Sequence, residues 1–548
     1  MNDYAERVEA GRRATGGRLV AKEKAPDLLG AVLRPGARLI LEGNNQKQAR
    51  FLTRALLASG PVHGLHGLHL LMSAVSLEEH LALFEQGIAD RLDFAFSGLQ
   101  AKGMARLIRE RKIQVGAIHT YLELYSRYLT DLRPDAALLA GETADAQGNV
   151  FLGSNGEETA FLCEAVRGAG GVTMVQVESV VNGPLPRVDL PADRVDFVIV
   201  CGERPHLVPL FTRDPSRITP RQVLMAMMVI KGIYAPYEVR SLNHGIGYAT
   251  AAIELLLPTY GESLGLKGRV ATHWVLNPHP TLIPAIEAGW VRSIYSFGSE
   301  VGMERYAAAR PKIFFTTPGG ELLTNRLFAQ VAGQYGVDCF VGATLQVDAD
   351  GNSSTATRDR ISGFGGAPNL GSDAPGRRHP SPAWVKAGKE RAEALSRAGW
   401  PSIPFRGRKL VVQVTPTVSE KGGIPVFVPE LDSLSLAHEG GLEVAPIMLY
   451  GDDLTHIVTE RGIAYLLRCA TREERRAAIR AIAGETPVGR SEKPEETLSL
   501  HRRGLVQTPE DLGLDLSQVS LDRLAARSLA DLERVSGGLY TAPTGEFG

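Results

Sequence analysis

Cysteine is scarce in this sequence, with four residues in a chain of 548. Cys163, Cys201, Cys339 and Cys469 are far apart, and no two of them show the Cys-x-x-Cys spacing of a zinc site. A disulfide framework would also need closely paired cysteines in a small, loop-rich domain. The cysteine content therefore argues against both kinds of site and favours a reducing cytosol.

The sequence also lacks a large excess of charge of one sign and long apolar runs. The net charge is −1, which gives no electrostatic reason to bind nucleic acid or an anionic membrane. No stretch approaches the roughly eighteen apolar residues that a membrane helix needs. The segment MNDYAERVEAGRRATGG at the start carries charges where a signal peptide has an apolar run. We therefore expect a cytoplasmic protein.

The sequence does have an alternation of short apolar runs, turns and helical patterns. Arg38–Leu41, Val172–Val177 and Phe197–Val200 predict buried strands, and helical spacing of apolar residues follows many such runs. This alternation is typical of an α/β protein with mostly parallel sheets. A chain of 548 residues exceeds what one hydrophobic core supports, so we expect at least two large domains.

The proline-rich stretch PLFTRDPSRITP, residues 209–220, is typical of a linker, and the strand-turn-helix pattern restarts after it. We interpret the two halves as loose structural repeats without strong sequence identity. The predicted limits are a lead-in over 1–30, domains over 31–215 and 220–490, and a helical C-terminal extension over 491–548. Leucines between Leu521 and Leu532 predict an amphipathic helix in the extension, which either holds partner subunits or packs on its own domain.

A glycine-rich stretch, ISGFGGAPNLGSDAPG at 361–376, is the strongest local signal for a site. It follows a predicted strand and a polar turn. Glycines such as Gly363, Gly365 and Gly366 let backbone amides approach a ligand closely and can cradle an anion or a developing oxyanion. The alternative is a glycine-rich turn that binds nothing.

The turn from Asn243 to Gly247 is a second candidate in the same half, and a similar stretch, EGNN at 42–45, opens the first half. Asn243 and the amides near Gly245 and Gly247 could stabilise the oxyanion of an acyl-transfer intermediate. A tight strand-to-helix turn explains these residues equally well. His244 could touch a substrate carboxylate, although a packed turn histidine is the commoner case.

Two further groups allow alternative interpretations. Arg187 is suited to clamp a carboxylate or a phosphate, because guanidinium binds either in bidentate fashion. An ion pair with Asp189 or Asp193 is the structural alternative. The motif HGLHGLH, residues 63–69, suggests a metal site, but the absence of nearby acidic ligands argues against it. We therefore predict no metal site.

Four motifs occur in the order found in one known family: ESVVNGPLPR at 178–187, GIG at 245–247, GFGG at 363–366 and IVTERGIAYL at 457–466. Each motif is weak alone, but their common order makes the match specific. From about Ala31 to Gly484 the chain resembles the CoA-transferase superfamily, in its acetyl-CoA hydrolase/transferase branch. GFGGAPNLGSDAPGRRH and NGPLPRVDLPADRVDFVIV are most similar to the malonate decarboxylase α-subunit family.

The resemblance implies two open, mostly parallel CoA-transferase-type (NagB/RpiA-like) α/β domains, with the site in the cleft where their strand ends meet. It also implies a reaction, in which acetyl-S-carrier and malonate give malonyl-S-carrier and acetate on an acyl-carrier-protein thioester. The implied partners are the carrier subunit, with its phosphoribosyl-dephospho-CoA arm, and the decarboxylase subunits of a malonate decarboxylase complex. No cofactor of the chain's own is implied.

Three other functions compete with this one. The chain could be a free-standing CoA transferase or acyl-CoA hydrolase that uses soluble CoA. It could also be a citrate-lyase-like α subunit, or a scaffold subunit without activity. Retained glycine loops argue against the scaffold, although a fold alone never proves an activity.

Many members of the superfamily attack the thioester with a glutamate that follows a short strand. The corresponding segment here, IYSFGSE at 294–300, puts Phe297 at the position of that glutamate. This departure favours direct attack of the substrate carboxylate on the thioester, through a mixed anhydride. Glu300 is the only carboxylate near enough to substitute, and a solvated loop residue is the alternative.

The predicted site has two parts. The catalytic part comprises Asn243, Gly245, Gly247 and Glu300. The part that binds the substrate or the carrier arm comprises Gly363, Gly365, Gly366, Asn369 and Arg187.

Overall fold

The computed structural model describes residues 3–205, 207–319, 322–400, 406–420 and 422–544. Two eight-stranded sheets organise these residues, one in each half of the chain. The apolar run Val172–Val177 is fully buried in the first of them, as expected for a strand covered on both faces. The prediction of a mixed α/β fold with large parallel sheets is confirmed.

The first sheet is parallel throughout, with the order β1-β13-β11-β8-β2-β5-β6-β7. The strands of this half are β1 (Leu19–Ala21), β2 (Arg38–Leu41), β3 (Gly43–Asn44), β4 (Lys47–Gln48), β5 (Leu68–Ala74), β6 (Ala89–Phe96), β7 (Gln114–Ile118), β8 (Ala136–Ala140), β9 (Thr143–Asp145), β10 (Val150–Phe151), β11 (Val172–Val177), β12 (Ser179–Val181) and β13 (Phe197–Val200). Its helices are α1 (Asp3–Thr15), α2 (Ala25–Val32), α3 (Arg50–His63), α4 (Glu78–Glu85), α5 (Ala101–Arg109), α6 (Tyr121–Tyr128) and α7 (Thr159–Ala169).

The second sheet has the order β16-β15-β14-β17-β22-β23-β24-β25 and is parallel from β16 to β23. The strands of this half are β14 (Ser241–His244), β15 (His273–Val275), β16 (Ser293–Tyr295), β17 (Cys339–Gly342), β18 (Gln346–Val347), β19 (Ser353–Ser354), β20 (Ala356–Thr357), β21 (Arg360–Ile361), β22 (Leu410–Val414), β23 (His456–Thr459), β24 (Gly462–Ala464) and β25 (Val506–Gln507). Its helices are α8 (Pro220–Val229), α9 (Ala235–Tyr237), α10 (Tyr248–Leu256), α11 (Ile283–Glu287), α12 (Glu304–Ala308), α13 (Arg326–Gly336), α14 (Ala367–Leu370), α15 (Pro382–Arg397), α16 (Asp432–Gly440), α17 (Arg472–Ile482), α18 (Pro494–Arg502) and α19 (Leu529–Val535).

A shared turn supports the interpretation of the two halves as structural repeats. Between β9 and β10, Asp145 Oδ1 accepts hydrogen bonds from the amides two and four residues later, at 3.0 and 2.9 Å. Asn149 Nδ2 closes the turn by donating to Asp145 Oδ2 at 2.7 Å. Asp348 and Asn352, between β18 and β19, repeat all three hydrogen bonds at 2.9 Å each. The short motifs DAQGN and DADGN encode the two turns.

The predicted domain limits remain predictions, and two strands cross them. β1, inside the predicted lead-in, pairs in parallel with β13. β25, inside the predicted helical extension, pairs antiparallel with β24. The amphipathic helix predicted from Leu521 to Leu532 is wrong, because a 3-10 turn at Leu521–Arg523 and the separate helix α19 occupy that stretch. Leu524 and Leu532 are buried in the core of the second half.

Candidate active site

A cavity of about 200 Å³ lies where strand ends of both sheets meet. On the side of the first sheet, Asn44 and Asn45 line it after β2, and Phe96 lines it at the end of β6. On the other side it is lined by residues that end or follow β14, β15, β16 and β17, namely Asn243, His244, Gly245, Ile246, Leu276, Asn277, Phe297, Gly342 and Ala343. The carboxyl ends of parallel strands are the usual place for a ligand site in open α/β sheets.

The glycine loop, residues 363–366, crosses from the second half to the first and lines the cavity. Gly363 forms a bridge with Phe96 and has a φ of 72°, and a Cβ on it would lie 2.5 Å from the Ala95 carbonyl oxygen. That oxygen accepts the amides of Phe364 at 2.7 Å and Gly365 at 2.8 Å. The loop therefore needs glycine for close packing, and the Gly365 amide is already used within the protein.

The turn after β14 places Asn243 and Gly245 on the cavity wall. The Gly245 amide donates to the Val341 carbonyl oxygen on β17 at 2.8 Å, and Asn243 Nδ2 donates to the Val275 carbonyl oxygen. Gly247 precedes α10 in an extended conformation and does not line the cavity. The amide of Gly245 is thus occupied in the same way as that of Gly365, which leaves the predicted oxyanion role to other donors.

Glu300 is buried and does not line the cavity. Its carboxylate accepts hydrogen bonds from Gln46 Nε2 at 2.8 Å, from Thr212 Oγ1 at 2.7 Å and from the Thr212 amide at 3.0 Å. Burial raises its pKa, and these hydrogen bonds oppose that effect. Leu210 and Phe211, from the predicted linker, line the cavity next to Thr212, which Glu300 holds. In this geometry Glu300 fixes the wall of the site.

Phe297, two residues after β16, lines the cavity at the position where the superfamily glutamate was expected. Among the described residues that line the cavity, none is an aspartate or a glutamate. The described lining therefore offers no carboxylate of its own to a thioester, as the interpretation of Phe297 from the sequence requires.

A buried histidine–glutamate–histidine group, His244, Glu254 and His279, borders the cavity and was not predicted in full. His244 Nδ1 and His279 Nδ1 each lie 2.9 Å from Glu254 Oε1. Burial favours the neutral carboxyl, but the interactions with His279 and His244 outweigh that effect and lower the pKa of Glu254 to about 2. The sequence carried one signal that was missed, a lone carboxylate in the apolar helix AAIELLL, which must have a partner.

Arg326 at the start of α13 joins the two halves beside the cavity. It forms an ion pair with Glu157, lies 3.3 Å from Glu158 and stacks on the ring of Tyr121 at 4.4 Å. Burial raises the pKa of Glu157, and the nearby guanidinium lowers it in part. Gln330, one turn further along α13, also lines the cavity. Arg326 was not predicted from the sequence.

Two predicted binding residues lie off the cavity. Arg187 forms an ion pair with Asp189, donates to the Gly153 carbonyl oxygen at 3.1 Å and does not line the cavity. This is the structural alternative that the sequence left open. Asn369 lies on α14 and does not line the cavity either, whereas Gly366, next to that helix, does.

The part of the chain that the structure describes holds no group of three or more histidine, cysteine, aspartate and glutamate side chains that could bind a metal ion. His69 of the HGLHGLH motif instead contacts Asp93 Oδ2 at 2.7 Å. All four cysteines are buried and unpaired with one another. No helix in the described ranges is long and apolar enough to cross a membrane.

A cavity at the strand ends of two largely parallel sheets, lined by side-chain amides and glycines, is typical of an α/β enzyme. Residues 1–547 match the family described as malonate decarboxylase, alpha subunit, transporter. The chain belongs to this family, and the resemblance inferred from the motifs is confirmed.

Known relatives cover nearly the whole chain. An acetyl-S-ACP:malonate ACP transferase of Malonomonas rubra is 51% identical over 542 residues, which are 99% of this chain and 97% of the relative. A Pseudomonas malonate decarboxylase hetero-tetramer in complex with malonate contains a chain that matches with a TM-score of 0.94 and 52% identity, over 99% of this chain and 97% of that one. A malonate decarboxylase alpha subunit from Acinetobacter baumannii matches with a TM-score of 0.93 and 49% identity, over 98% of each chain.

Proposed function

We propose that this chain is the transferase subunit of a malonate decarboxylase, which exchanges acetate for malonate on an acyl-carrier-protein thioester. Family membership and the 51% identical transferase support this reaction. The structural observation that carries the proposal is the cavity at the strand ends, whose described lining contains no aspartate or glutamate. Such a cavity holds a carboxylic acid against a thioester while leaving the attack to the acid itself.

In the proposed reaction, an oxygen of one malonate carboxylate attacks the carbonyl carbon of the acetyl thioester. The tetrahedral intermediate collapses to a mixed anhydride of acetate and malonate, and the carrier thiolate leaves. The thiolate then attacks the malonyl carbonyl carbon of the anhydride, which yields the malonyl thioester and releases acetate. The exchange balances without a net proton, so the main task of the chain is to hold both reactants in one geometry.

Different residues of the described part of the chain contribute to holding the reactants. Phe297 and Phe364 give the cavity apolar walls, and Glu300 keeps Leu210 and Phe211 in place. Because the amides of Gly245 and Gly365 are already bonded within the protein, donors other than these two must meet the developing charge.

The acetyl group is delivered by the phosphoribosyl-dephospho-CoA arm of the carrier subunit, and soluble CoA is a surrogate for that arm in assays. The decarboxylase subunits consume the malonyl thioester. The chain supplies no cofactor itself, and the cytoplasm is the expected compartment. The specific subunits, the arm and the compartment are parts of the proposal.

The test is a transfer assay with the purified full chain, acetylated carrier subunit and labelled malonate, without decarboxylase subunits. We expect labelled malonyl-carrier to accumulate with one acetate released per malonyl group formed. Acetate release without a malonyl thioester would identify a hydrolase. Faster turnover of acetyl-CoA than of acetyl-carrier would identify a free-standing CoA transferase, and citrate replacing malonate as the better acceptor would identify a citrate-lyase-like subunit. Each of these outcomes contradicts the proposal.

A further inference from the structure

His279 differs from the other residues of the cavity wall in having an unused ring nitrogen. It precedes the 3-10 turn Pro280–Leu282, is 5% exposed and lines the cavity. Its Nδ1 lies 2.9 Å from Glu254 Oε1, and its Nε2 is buried with no hydrogen-bond partner in the described part of the chain. A buried polar atom without a partner is costly, and one that also lines a cavity points to a ligand.

The hydrogen-bond network fixes the state of the neighbouring groups. Glu254 is ionised and accepts from His244, His279 and Thr281, so each Nδ1 carries a hydrogen. His244 Nε2 accepts a hydrogen bond from the hydroxyl of Tyr234 at 2.6 Å. Of the two histidines on Glu254, only His279 therefore has a ring nitrogen left for a ligand.

A second unsatisfied side chain lines the same cavity. Asn45 is 1% exposed, and neither its Oδ1 nor its Nδ2 has a partner among the described residues. One short segment touches both groups: the Val208 amide donates to the Asn45 carbonyl oxygen at 2.9 Å, and the ring of Phe211 stacks on His279 at 5.4 Å. The two unsatisfied side chains thus border one segment of the cavity wall, residues 208–211, which we call the wall segment.

Charge decides what this subsite binds. Among the described residues that line the cavity, the side chains able to carry a positive charge are His244, His279 and Arg326. Arg326 is paired with Glu157, and His244 is enclosed by Glu254 and Tyr234. A carboxylate taken from water into this cavity needs hydrogen-bond donors and a compensating charge, and His279 can supply both when protonated.

We propose that His279 and Asn45 form a carboxylate-binding subsite. When the carboxylate binds, His279 takes up a proton from solvent and donates its Nε2–H to the carboxylate. The Nδ2 of Asn45 donates to the same acid. This inference rests on the proposed function, because malonate is the acid that it assigns to the subsite. The groups that face the imidazole are Glu254 from α10, which also holds His244, and Phe211 from the wall segment.

The primary test is calorimetric titration of the full chain with sodium malonate, near neutral pH, in two buffers of different ionisation enthalpy. Comparison of the two enthalpies gives the protons taken up per malonate bound. We expect the wild-type chain to take up a substantial fraction of one proton. Binding without proton uptake would overturn the proposal, and this measurement depends on no variant.

Two substitutions separate the ring nitrogens. His279→Asn keeps a donor for Glu254 but removes the group at Nε2, and we expect about tenfold to hundredfold weaker malonate binding with proton uptake lost. His279→Gln carries an amide nitrogen near the Nε2 position and should recover part of the affinity, without proton uptake. Unchanged affinity and proton uptake in His279→Asn would overturn the proposal.

His456→Asn is the matched control for a buried histidine. His456 also bonds through Nδ1, to Thr455 at 2.9 Å, has an Nε2 without a partner among the described residues and does not line the cavity. We expect its malonate affinity to match the wild type, and an equal loss in both variants would contradict a specific role for His279. Malonate binding is measured without a thioester, so a failure of the transfer assay would refute the proposed function independently of this result.

Discussion

The side-chain amide of Gln46 donates a hydrogen bond of 2.8 Å to the carboxylate of Glu300. Gln46 belongs to the loop after β2 in the first half, and Glu300 follows β16 in the second. The same carboxylate holds Thr212, next to the cavity-lining Phe211. One buried side chain therefore ties together three segments that surround the cavity, which is a positioning role.

Glu300→Gln tests this role against that of a nucleophile. The substitution removes the charge that accepts from four donor groups, on Gln46, Leu210 and Thr212. We expect a loss of about 1 to 3 kcal/mol in the free energy of unfolding, measured by urea denaturation. The KM for malonate should rise while kcat stays measurable. Thr212→Val loosens the same wall from the other side and should change KM in the same direction. Loss of nearly all turnover in Glu300→Gln, with Thr212→Val unaffected, would instead identify a nucleophile.

Gly366→Ala is expected to abolish most transfer while leaving a cooperative fold. A Cβ on Gly366 would lie 2.2 Å from Gln330 Nε2, so it must displace a cavity-lining side chain. The φ of Gly366 is −92°, so the substitution adds no backbone strain. Transfer rates and thermal melts of the purified variant check this expectation.

Gly247→Ala is the control for that loop variant. A Cβ at Gly247 would meet atoms no closer than 3.6 Å, in ordinary van der Waals contact, and the residue is off the cavity. We expect wild-type transfer. An inactive Gly247→Ala protein would restore the catalytic role predicted from the sequence. An active Gly366→Ala protein would show that transfer tolerates displacement of the Gln330 side chain.

Arg326→Met should destabilise the chain by about 3 kcal/mol or more, because it leaves the buried Glu157 without its counter-ion. Glu157→Gln in the same chain should recover part of this loss. Urea denaturation of the two single variants and the double variant gives the coupling energy. Additivity within about 0.5 kcal/mol would show that the pair does not couple the two halves.

His80 should make the chain sensitive to acid. It is fully buried, its Nδ1 accepts from the Ser76 amide at 3.2 Å, and burial lowers its pKa from 6.5 to about 3. Because the unfolded chain protonates this histidine first, its contribution to stability is complete above pH 6.5 and is lost as the pH falls towards 3. Between pH 6.5 and about pH 5 the wild type should lose about 2 kcal/mol more than His80→Asn. Equal pH dependence of the two unfolding free energies would contradict this.

The fold could be predicted because its signals are local. Val172–Val177 is an unbroken apolar run, and such a run predicts a strand buried on both faces without knowledge of its neighbours. The repeat was predicted from the order of elements, although the motifs DAQGN and DADGN were a sharper signal. The prediction of one amphipathic helix after Leu521 failed because its leucines lie in a 3-10 turn and in the separate helix α19.

The site could be predicted only in outline. Glycine content located the loop at 363–366, but whether an amide is available depends on distant partners such as Ala95 and Val341. The pairing of Glu254 with His279 likewise exists only after the strands have assembled. Sequence patterns give the residue types at a site, and tertiary contacts decide which of their atoms remain for a substrate.

The most direct measurement is the initial-rate pattern of transfer with acetyl-CoA and malonate varied together, combined with mass spectrometry after borohydride treatment. Because none of the described residues that line the cavity is an aspartate or a glutamate, the malonate carboxylate should attack the thioester itself. The account predicts intersecting lines, and no reduced adduct on a chain incubated with acetyl-CoA alone. Parallel lines together with a reduced adduct on Glu300 would contradict it.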